Sequence, residues 1–489
     1  MDDYRKIVNS LKHRRKGATA ADVCAATALP LNTVRELLPK AADEYSGHLQ
    51  VTESGEILYD FPDGFSSRYR GAGAKLKKFF NFCETAVKAA FVFLFKVWIM
   101  LMLVGYFALF IALALASVVL SIAAQSRSSN DGRRGAFFGP NLFGLIWRIW
   151  FIQEITQPRY GRYSQVYQKP KNNRPMHKAV FSFIFGELDP NKNWEEKEDK
   201  AVISYIQANR GVISLAEYMA FTGKNSTEAQ KELLSFCSRF AGSPEATDDG
   251  TIVYRFDELL LRADSKNYAE LSPPVKRLKI FSFNSKKMNT WFIIINAVNL
   301  VFGSYFLYNS LNTGLLVTEI QYQSASYLYA FTHILVNMFT DNPPFFIAAA
   351  LGAVPFVFSL LFWIIPAIRK LTEKKENEDI KLENFKKLGF GKIWMSPENF
   401  RLNNIVPSSE EFRPENITNA GDRVIKELGA VNPVEVEQSE NGEMVYSFKE
   451  LEREKLAIEK YRKNIDPAQS KLGSAVFDTL TDAGLAIQP

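Results

Sequence analysis

The sequence predicts an α-helical membrane protein with about four transmembrane helices in two hairpins, carrying α+β winged-helix-like modules on the cytoplasmic face. Three observations lead to this fold class. Long uncharged apolar runs alternate with polar stretches rich in Lys and Glu. Basic residues cluster at the ends of the apolar runs, and three short hairpin patterns recur at nearly constant spacing. A chain of 489 residues has room for two to four domains.

The first apolar run extends from Ala89 to Ala124 and contains one charged residue, Lys96. About 20 apolar residues span a bilayer, so the run is too long for one upright helix and short for two. We expect a tight helical hairpin that turns near Gly105 and Tyr106. One long tilted helix is the alternative.

Two later runs predict a second hairpin. Trp291 to Tyr308 is apolar and aromatic, and Phe345 to Ile368 is apolar with Pro355 and Pro366 inside it. Proline is tolerated in membrane helices where neighbouring groups satisfy the freed carbonyls.

The distribution of Lys and Arg predicts the orientation. Residues 311–344 contain neither, whereas basic residues flank both ends of the first run, precede the second run and follow the last one. Since basic flanks stay in the cytoplasm, we expect a multi-pass protein of the inner (cytoplasmic) membrane with both termini cytoplasmic. Basic residues on both sides of the first run favour the hairpin over a single crossing.

A shorter apolar stretch, residues 139–155, is too short to span comfortably. Trp147, Arg148 and Trp150 lie in it, and Trp and Arg prefer the headgroup level. It predicts an interfacial amphipathic helix that is anchored by these three residues.

Three segments share one pattern of strand, Gly turn and strand ending in Tyr-x-Phe, which is typical of a β-hairpin. Their glycines are separated by 195 and then 192 residues. A tandem duplication is the favoured explanation, and a chance match of a short pattern is the alternative. The residues that carry the pattern are Gly55, Tyr59 and Phe61, then Gly250, Tyr254 and Phe256, then Gly442, Tyr446 and Phe448.

Three helical patterns precede each of the first two hairpins, and this order is that of a winged helix. The third copy is degenerate, with one clear helix at Ile417–Leu428. The predicted organisation is module 1 (1–63), a basic linker (64–88), the transmembrane hairpin or single long helix (89–124), the interfacial helix (139–155), module 2 (190–260), a transmembrane helix (290–310), a non-cytoplasmic connection (311–344), a transmembrane helix (345–368), module 3 (400–450), and a charged helix with a tail (451–489).

Charge argues against nucleic acid as a partner. The tips of the three hairpins are acidic, and the helices that would enter the major groove mix both signs, so these surfaces repel phosphate. One basic cluster, Lys12, Arg14, Arg15 and Lys16, could contact DNA or a membrane surface, although a solvated helix end is the favoured interpretation.

Catalytic and metal-binding patterns are missing from the sequence. None of the four histidines has a ligand spacing, and the three cysteines are isolated. There is no GxSxG elbow and no Walker loop. We therefore predict that the chain is not an enzyme and that it has no catalytic residue, no cofactor and no metal.

One stretch, His177-Lys-Ala-Val-Phe-Ser-Phe-Ile-Phe-Gly-Glu-Leu-Asp-Pro-Asn191, followed by module 2 through Gly250–Phe256, resembles integral membrane proteins of cyanobacteria and plastids. Plant members often carry an "iron–sulfur cluster biosynthesis family" label. The resemblance covers residues 140–260 well and implies stromal or cytoplasmic modules on a membrane protein. It implies no activity, and cluster ligation needs grouped cysteines.

These observations favour a non-enzymatic membrane scaffold or adaptor. Its expected partners are membrane lipid and a protein, which could be a second copy of the chain. Two other hypotheses stay open: a membrane-tethered DNA-binding regulator that uses module 1, and a protein that handles lipid or a small solute in its membrane core.

Overall fold

A computed structural model describes residues 2–12, 17–62, 64–68, 72–126, 174–263, 272–315, 327–466 and 471–479. The described chain is mostly helical, with small antiparallel sheets. The helices are α1 (Asp2–Lys12), α2 (Ala20–Thr27), α3 (Leu31–Tyr45), α4 (Ala72–Met100), α5 (Tyr106–Ser126), α6 (Met176–Phe185), α7 (Trp194–Ala208), α8 (Leu215–Thr222), α9 (Ser226–Phe240), α10 (Lys286–Leu315), α11 (Tyr327–Asn337), α12 (Pro343–Phe346), α13 (Val354–Met395), α14 (Ile417–Gly429) and α15 (Lys449–Asn464). Two π-helical segments are π1 (Leu101–Gly105) and π2 (Ile347–Ala353). The strands are β1 (His48–Thr52), β2 (Ile57–Asp60), β3 (Val212–Ser214), β4 (Ser243–Ala246), β5 (Ile252–Arg255), β6 (Glu435–Gln438), β7 (Met444–Ser447) and β8 (Ala475–Asp478).

The chain folds into two compact units. The modular unit consists of Met1–Lys78, Asp189–Leu278 and Glu376–Pro489, and the apolar unit of Phe79–Leu188 and Lys279–Lys375. The chain therefore leaves the modular unit twice and returns to it twice.

Three helical segments in the described residues are long and apolar enough to cross a membrane: Phe82–Leu120, Lys286–Asn312 and Pro343–Met395. The later two contain the predicted apolar runs. The last one continues beyond the predicted end at Ile368, and the boundary between the two units falls inside α13.

The first apolar run is one continuous helix, so the predicted hairpin at Gly105 and Tyr106 is wrong and the single long helix is the correct alternative. α4, π1 and α5 follow one another without a turn, and the backbone at Tyr106 is helical (φ −64°, ψ −42°). A turn would leave peptide groups of the apolar run without intrahelical hydrogen bonds, whereas a continuous helix satisfies them within the segment. The helix also begins at Ala72, so most of the predicted linker 64–88 is helical.

Modules 1 and 2 are built from the same elements at a fixed offset of 195 residues. α2 and α8 have eight residues each, and α3 and α9 have fifteen each. Both short helices begin with a reciprocal capping box, Thr19 with Asp22 and Ser214 with Glu217, which satisfies two backbone donors at each helix start. The backbone from 18 to 61 therefore repeats from 213 to 256 without insertion or deletion.

Module 3 is reduced. Its hairpin, β6 and β7, follows α14, and a short 3₁₀ turn, Leu402–Asn404, stands where the other modules have an eight-residue helix. The C-terminal part of α13 supplies Phe385, Phe390 and Ile393 to the same core as the module. A helix that the sequence assigned to the membrane thus also serves as a packing helix of module 3.

One hydrophobic core joins all three chain stretches of the modular unit. Ile7, Phe236 and Val424 come from the three stretches, are fully buried, and belong to one contiguous cluster. Burying an apolar side chain of this size contributes roughly 1.5–3 kcal/mol. The modules are therefore parts of one folded body.

The sheets have the orders β2-β1-β8, β3-β5-β4 and β6-β7. β8, which lies in the predicted tail (451–489), pairs antiparallel with β1. The predicted interfacial helix at 139–155 lies outside the described residues. The predicted connection 311–344 contains the end of α10, α11 and the beginning of α12.

Candidate functional site

The three hairpins have the same turn. In each, a Thr or Ser donates its N–H to the carbonyl four residues later, and its own carbonyl accepts from the following Gly N–H: Thr52 with Gly55, Thr247 with Gly250, and Ser439 with Gly442. These glycines have φ of 81°, 79° and 79°. This conformation favours glycine, and it explains why the sequence repeats glycine at these three places.

The Tyr of each Tyr-x-Phe pattern also has an equivalent partner. Tyr59 pairs with Ala18, Tyr254 with Ile213 in β3, and Tyr446 with Phe400. Tyr59 and Ala18 exchange both backbone hydrogen bonds, at 2.8 and 3.0 Å, and Tyr446 and Phe400 exchange both at 2.8 Å. The second strand of each hairpin thus has its outward backbone groups hydrogen-bonded within its own module. Only the edge of the first strand, β1, β4 or β6, can differ in its partner.

The outer edges differ in what covers them. β8 pairs with β1 in module 1, matching Gln50 with Asp478 and Val51 with Phe477. β4 has Pro244 in the middle of its edge. All four residues of β6 are exposed. Unpaired strand edges are the usual places for a further strand to add, so these edges are the candidate interaction surface of the modular unit.

The helices that would face DNA in a winged helix have their arginines paired with carboxylates. In α3, Arg35 pairs with Glu56 at 2.8 Å and with Glu258 at 2.7 Å. In α9, Arg239 pairs with Asp199 at 2.6 Å. Neutralised guanidinium groups are poor phosphate ligands.

Several predicted site residues cannot be placed. Lys12 is the last residue of α1, but Arg14, Arg15 and Lys16 lie outside the described residues. The predicted anchors Trp147, Arg148 and Trp150 also lie outside them. The proposed basic contact and the interfacial anchor therefore stay predictions.

The apolar unit contains a groove of about 440 Å³ beside the two π-helical segments. Its polar groups are already engaged: Tyr106 donates its hydroxyl to Ala350 O at 2.8 Å, and Thr332 donates to Leu328 O at 2.8 Å. Such a lining suits an apolar occupant. The groove is lined by Leu101, Gly105, Tyr106, Leu109, Leu113, Thr332, Leu335, Val336, Phe339, Thr340, Phe346, Ala350 and Leu351.

The segment π2 has a local cause and a local compensation. Val354 N–H bonds to Ala349 O, five residues back, and in that register Pro355, which has no N–H, leaves Ala350 O without its helical donor. Tyr106 supplies the missing hydrogen bond. Leu103 O in π1 similarly accepts from the fully buried Asn299 amide at 2.6 Å, and Asn296 donates to Ser359 O at 3.0 Å. These amide hydrogen bonds link α10 to its neighbouring helices.

A polar cluster at the end of α6 was missed by sequence reasoning. The carboxylate of Glu187 accepts from Arg174, from Ser182 Oγ at 2.5 Å and from Phe283 N–H at 3.2 Å. Burial raises the pKa of Glu187, but these hydrogen bonds and the Arg174 charge outweigh it and hold the pKa below its ordinary value. The signal was the Gly-Glu pair directly after an apolar helix, within the stretch that carries the family resemblance.

The described residues contain no group of three or more His, Cys, Asp or Glu side chains that could hold a metal ion. Cys24 and Cys237 are buried in the modular unit, and burial raises their thiol pKa to about 12 and about 11. Thiols with such pKa values are protonated at neutral pH and react slowly.

The fold and the edges define a mostly helical protein that combines membrane-length apolar helices with repeated helix–hairpin modules. An uncharacterised chloroplastic protein of Arabidopsis thaliana is 25% identical over 423 residues, which cover 81% of this chain and 73% of that protein. This relative agrees with the expected resemblance to plastid proteins, and its description does not carry the iron–sulfur label. No family model matches the chain. No solved structure matches it either.

Proposed function

We propose that the chain is a non-enzymatic membrane scaffold whose three winged-helix-like modules form one body that holds a protein partner at the membrane surface. The observation that carries this proposal is the shared core: three stretches, separated in sequence by membrane-length apolar helices, bury their apolar side chains together. A chain that returns twice to one body through apolar helices suits a fixed platform on a membrane.

Contact with lipid is supported by the surface of the apolar helices. Phe91, Leu115 and Val301 leave 62–70% of their surface exposed. Exposed apolar area of this extent is unfavourable in water and favourable in a bilayer. We therefore treat the three apolar helices as transmembrane.

The side of the membrane follows from the shared core. Because the three modular stretches form one compact unit, they lie on the same face of the membrane. A single crossing by α4 and α5 leads to the opposite face, so the proposal requires that the chain returns before Asp189. Basic residues such as Lys276, Arg277 and Lys279 flank the apolar helices on the modular side, which favours the cytoplasm or, in a plastid, the stroma.

The ion pairs of Arg35 and Arg239 support a protein partner over DNA. A DNA-binding regulator would need basic groups free to meet phosphates, and these side chains are held against carboxylates of the same unit.

The test is purification of the intact protein from its native membranes in mild detergent, with chemical crosslinking and mass spectrometry. Deleting a module would unfold the shared core, so the informative variants are surface substitutions. We expect a stoichiometric protein partner crosslinked to the modular unit. Co-purified nucleic acid without a protein, or a preparation that holds lipid alone, would contradict the scaffold.

The groove in the apolar unit favours a second candidate, the handling of lipid or a small apolar solute. Replacing Leu109 by Trp would fill the groove, whereas Leu120→Trp changes an exposed position of the same helix that does not line it. A bound lipid retained by the wild type and by L120W but lost from L109W, measured by native mass spectrometry, would support this candidate. Equal lipid content in all three would count against it.

A further inference from the structure

We infer that the open edge of β6 in module 3 is a docking site for an extended segment of a partner protein, with a Lys or Arg of that segment facing Glu437. This inference rests on the proposed scaffold function and names the chemistry of the partner. Four observations lead to it: the filled edge of module 1, the blocked edge of module 2, the open edge of module 3 and the charge of that edge.

Module 1 demonstrates how a strand is accepted. In an antiparallel hairpin, alternate residues of the edge strand direct their N–H and C=O outward. Leu49 is such a residue: its N–H donates to Thr479 Oγ1 at 3.0 Å, and its carbonyl accepts from Thr479 N–H at 3.1 Å. Further along, Glu53 N–H donates to Ser474 O at 3.0 Å. The edge therefore holds β8 mainly through its backbone.

Module 2 cannot accept a strand in the same way. The residue equivalent to Leu49, 195 positions later, is Pro244, which lacks the N–H that Leu49 uses. Pro244 still pairs with Tyr254 inside the hairpin, so proline at this position is compatible with the fold.

Module 3 has neither a strand nor a proline at its edge. The shared turn aligns Val436 with Leu49 and Pro244, because all three face the Tyr of the Tyr-x-Phe pattern. Within the described residues, β6 pairs with β7 alone. Val436 is 52% exposed. The outward peptide groups of Val436 and Gln438 are consequently available to an added strand.

The side chains of β6 determine which kind of strand can bind at its edge. In module 1, Gln50 donates its amide to the Asp478 carboxylate at 2.9 Å. The equivalent residue in module 3 is Glu437, which faces Val445 as Gln50 faces Leu58. An Asp opposite Glu437 would be repelled, so the C-terminal strand of a second copy is a poor occupant. A Lys or Arg would be attracted by Glu437. Glu435, on the same face of the strand, is already paired with Lys449 at 2.5 Å, so Glu437 is the residue that carries the preference.

The negative charge of β6 could have a second role, which is to prevent aggregation at the open edge. Charged residues on an edge strand can serve to prevent aggregation. An edge whose charges only prevent aggregation would bind no added strand, whereas a docking edge binds a strand of complementary charge. The two roles are therefore distinguished by binding.

The experiment uses the full-length protein in detergent and two fluorescent peptides. One copies residues 472–479, and the other is the same peptide with Asp478→Lys. We expect the lysine peptide to bind about fivefold more tightly than the native one, the size of a good cross-strand charge pair. V436P should reduce its binding more than about tenfold because the outward N–H is lost. E437Q should abolish the preference between the peptides. E440Q, a charge change in the turn and off the strand, should leave binding unchanged.

Pro244 shows that a hairpin of this type folds with proline at this position, so V436P should fold as well. The thermal midpoint of V436P is measured to check this. Binding of neither peptide, equal binding of both, or undiminished binding by a folded V436P would overturn the inference. These failures differ from failure of the scaffold. If a crosslinked partner is found and its amount is unchanged in V436P, the scaffold stands and the β6 site is wrong. If the lysine peptide binds but no partner is found, the edge exists and the scaffold is wrong.

Discussion

Residues 18–61 and 213–256 are two copies of one backbone placed in different surroundings. They share two helix lengths, one capping box and one turn, although most of their side chains differ. The differences concentrate where a copy meets something outside itself. Leu49 binds the added strand β8, whereas Pro244 at the equivalent position binds no further strand in the part of the chain that the structure describes. Phe61 is half-buried, whereas Phe256 is fully buried.

The comparison teaches which residues fix the fold and which are free to specialise. Cap residues and turn glycines satisfy backbone groups that every copy has, so they recur. Edge residues meet a partner that only one copy has, so they diverge. Module 3 extends the rule, since it has lost a helix but retains Gly442, Tyr446 and Phe448 in the same backbone geometry.

The largest expected difference between the copies lies in the Phe of the Tyr-x-Phe pattern. Both rings pack on an equivalent glycine, Phe61 on Gly47 and Phe256 on Gly242. Phe256 is fully buried, whereas Phe61 is half-buried and stacks on the ring of Phe65 with centroids 4.7 Å apart. We expect F256A to lower the free energy of unfolding by roughly 3–5 kcal/mol and F61A by about half as much or less. Thermal unfolding of both variants in detergent measures this. Equal losses would mean that the two copies contribute equally to the shared core.

The capping boxes should respond alike. Asp22 N–H donates to Thr19 Oγ1 at 3.3 Å, and Glu217 N–H donates to Ser214 Oγ at 3.2 Å. T19A and S214A should each destabilise by about 1 kcal/mol, because each removes the acceptor of an otherwise unsatisfied helix donor. Thr19→Ser retains the acceptor and serves as the control. A loss at one site only would show that one copy no longer depends on its cap.

The edge of module 1, which binds β8, can be converted into an edge that binds no strand, as in module 2. Leu49→Pro installs in module 1 the residue that module 2 has, so the hairpin should persist while β8 is released. Hydrogen exchange of residues 474–479 should accelerate, and the thermal midpoint should change little. Gln50→Pro is the matched control: the N–H of Gln50 faces β2, so this variant should damage the hairpin itself. If β8 stays protected in L49P, the Thr479 bonds to Leu49 are not what holds it.

Much of this arrangement could be predicted from the sequence, for physical reasons that differ by element. The hairpins were found because glycine at positive φ and a Tyr-x-Phe strand leave a local signature. The long apolar runs could be predicted because their hydrophobic composition and length are sufficient to identify them.

The remainder depends on non-local contacts. A turn at Gly105 was expected from length, but nothing local decides between a turn and a π-bulge that Asn299 stabilises from another helix. β8 was missed because its strand exists only through pairing with β1, more than 400 residues away. The role of Pro244 became visible only when the registers of the three hairpins could be aligned.

The smallest expected effect on stability comes from the residues around the capping boxes of modules 1 and 2. Asp22 also accepts from Ala263 N–H at 2.9 Å, whereas Glu217 lies beside Arg462 and Glu454 of α15. Burial, and then the Glu217 charge, raise the pKa of Glu454 above its ordinary value, although the polar groups of Ser214 and Ala216 oppose this. A carboxyl whose folded-state pKa is raised is favourable while protonated, so its contribution is complete below the unfolded-state pKa and is lost as pH rises through the folded-state value.

Glu454→Gln should therefore raise the thermal midpoint slightly at pH 8 and leave it unchanged near pH 4, since the amide keeps an acceptor for Ser214 and cannot ionise. Glu459→Gln, an exposed change on the same helix, should have no such pH dependence. A lower midpoint for E454Q at pH 8 would mean that the ionised carboxylate is a net partner of Arg462. The Glu454 carboxylate would then add to the ion pair that already joins Glu217 of the module 2 cap to Arg462 of α15 at 2.7 Å.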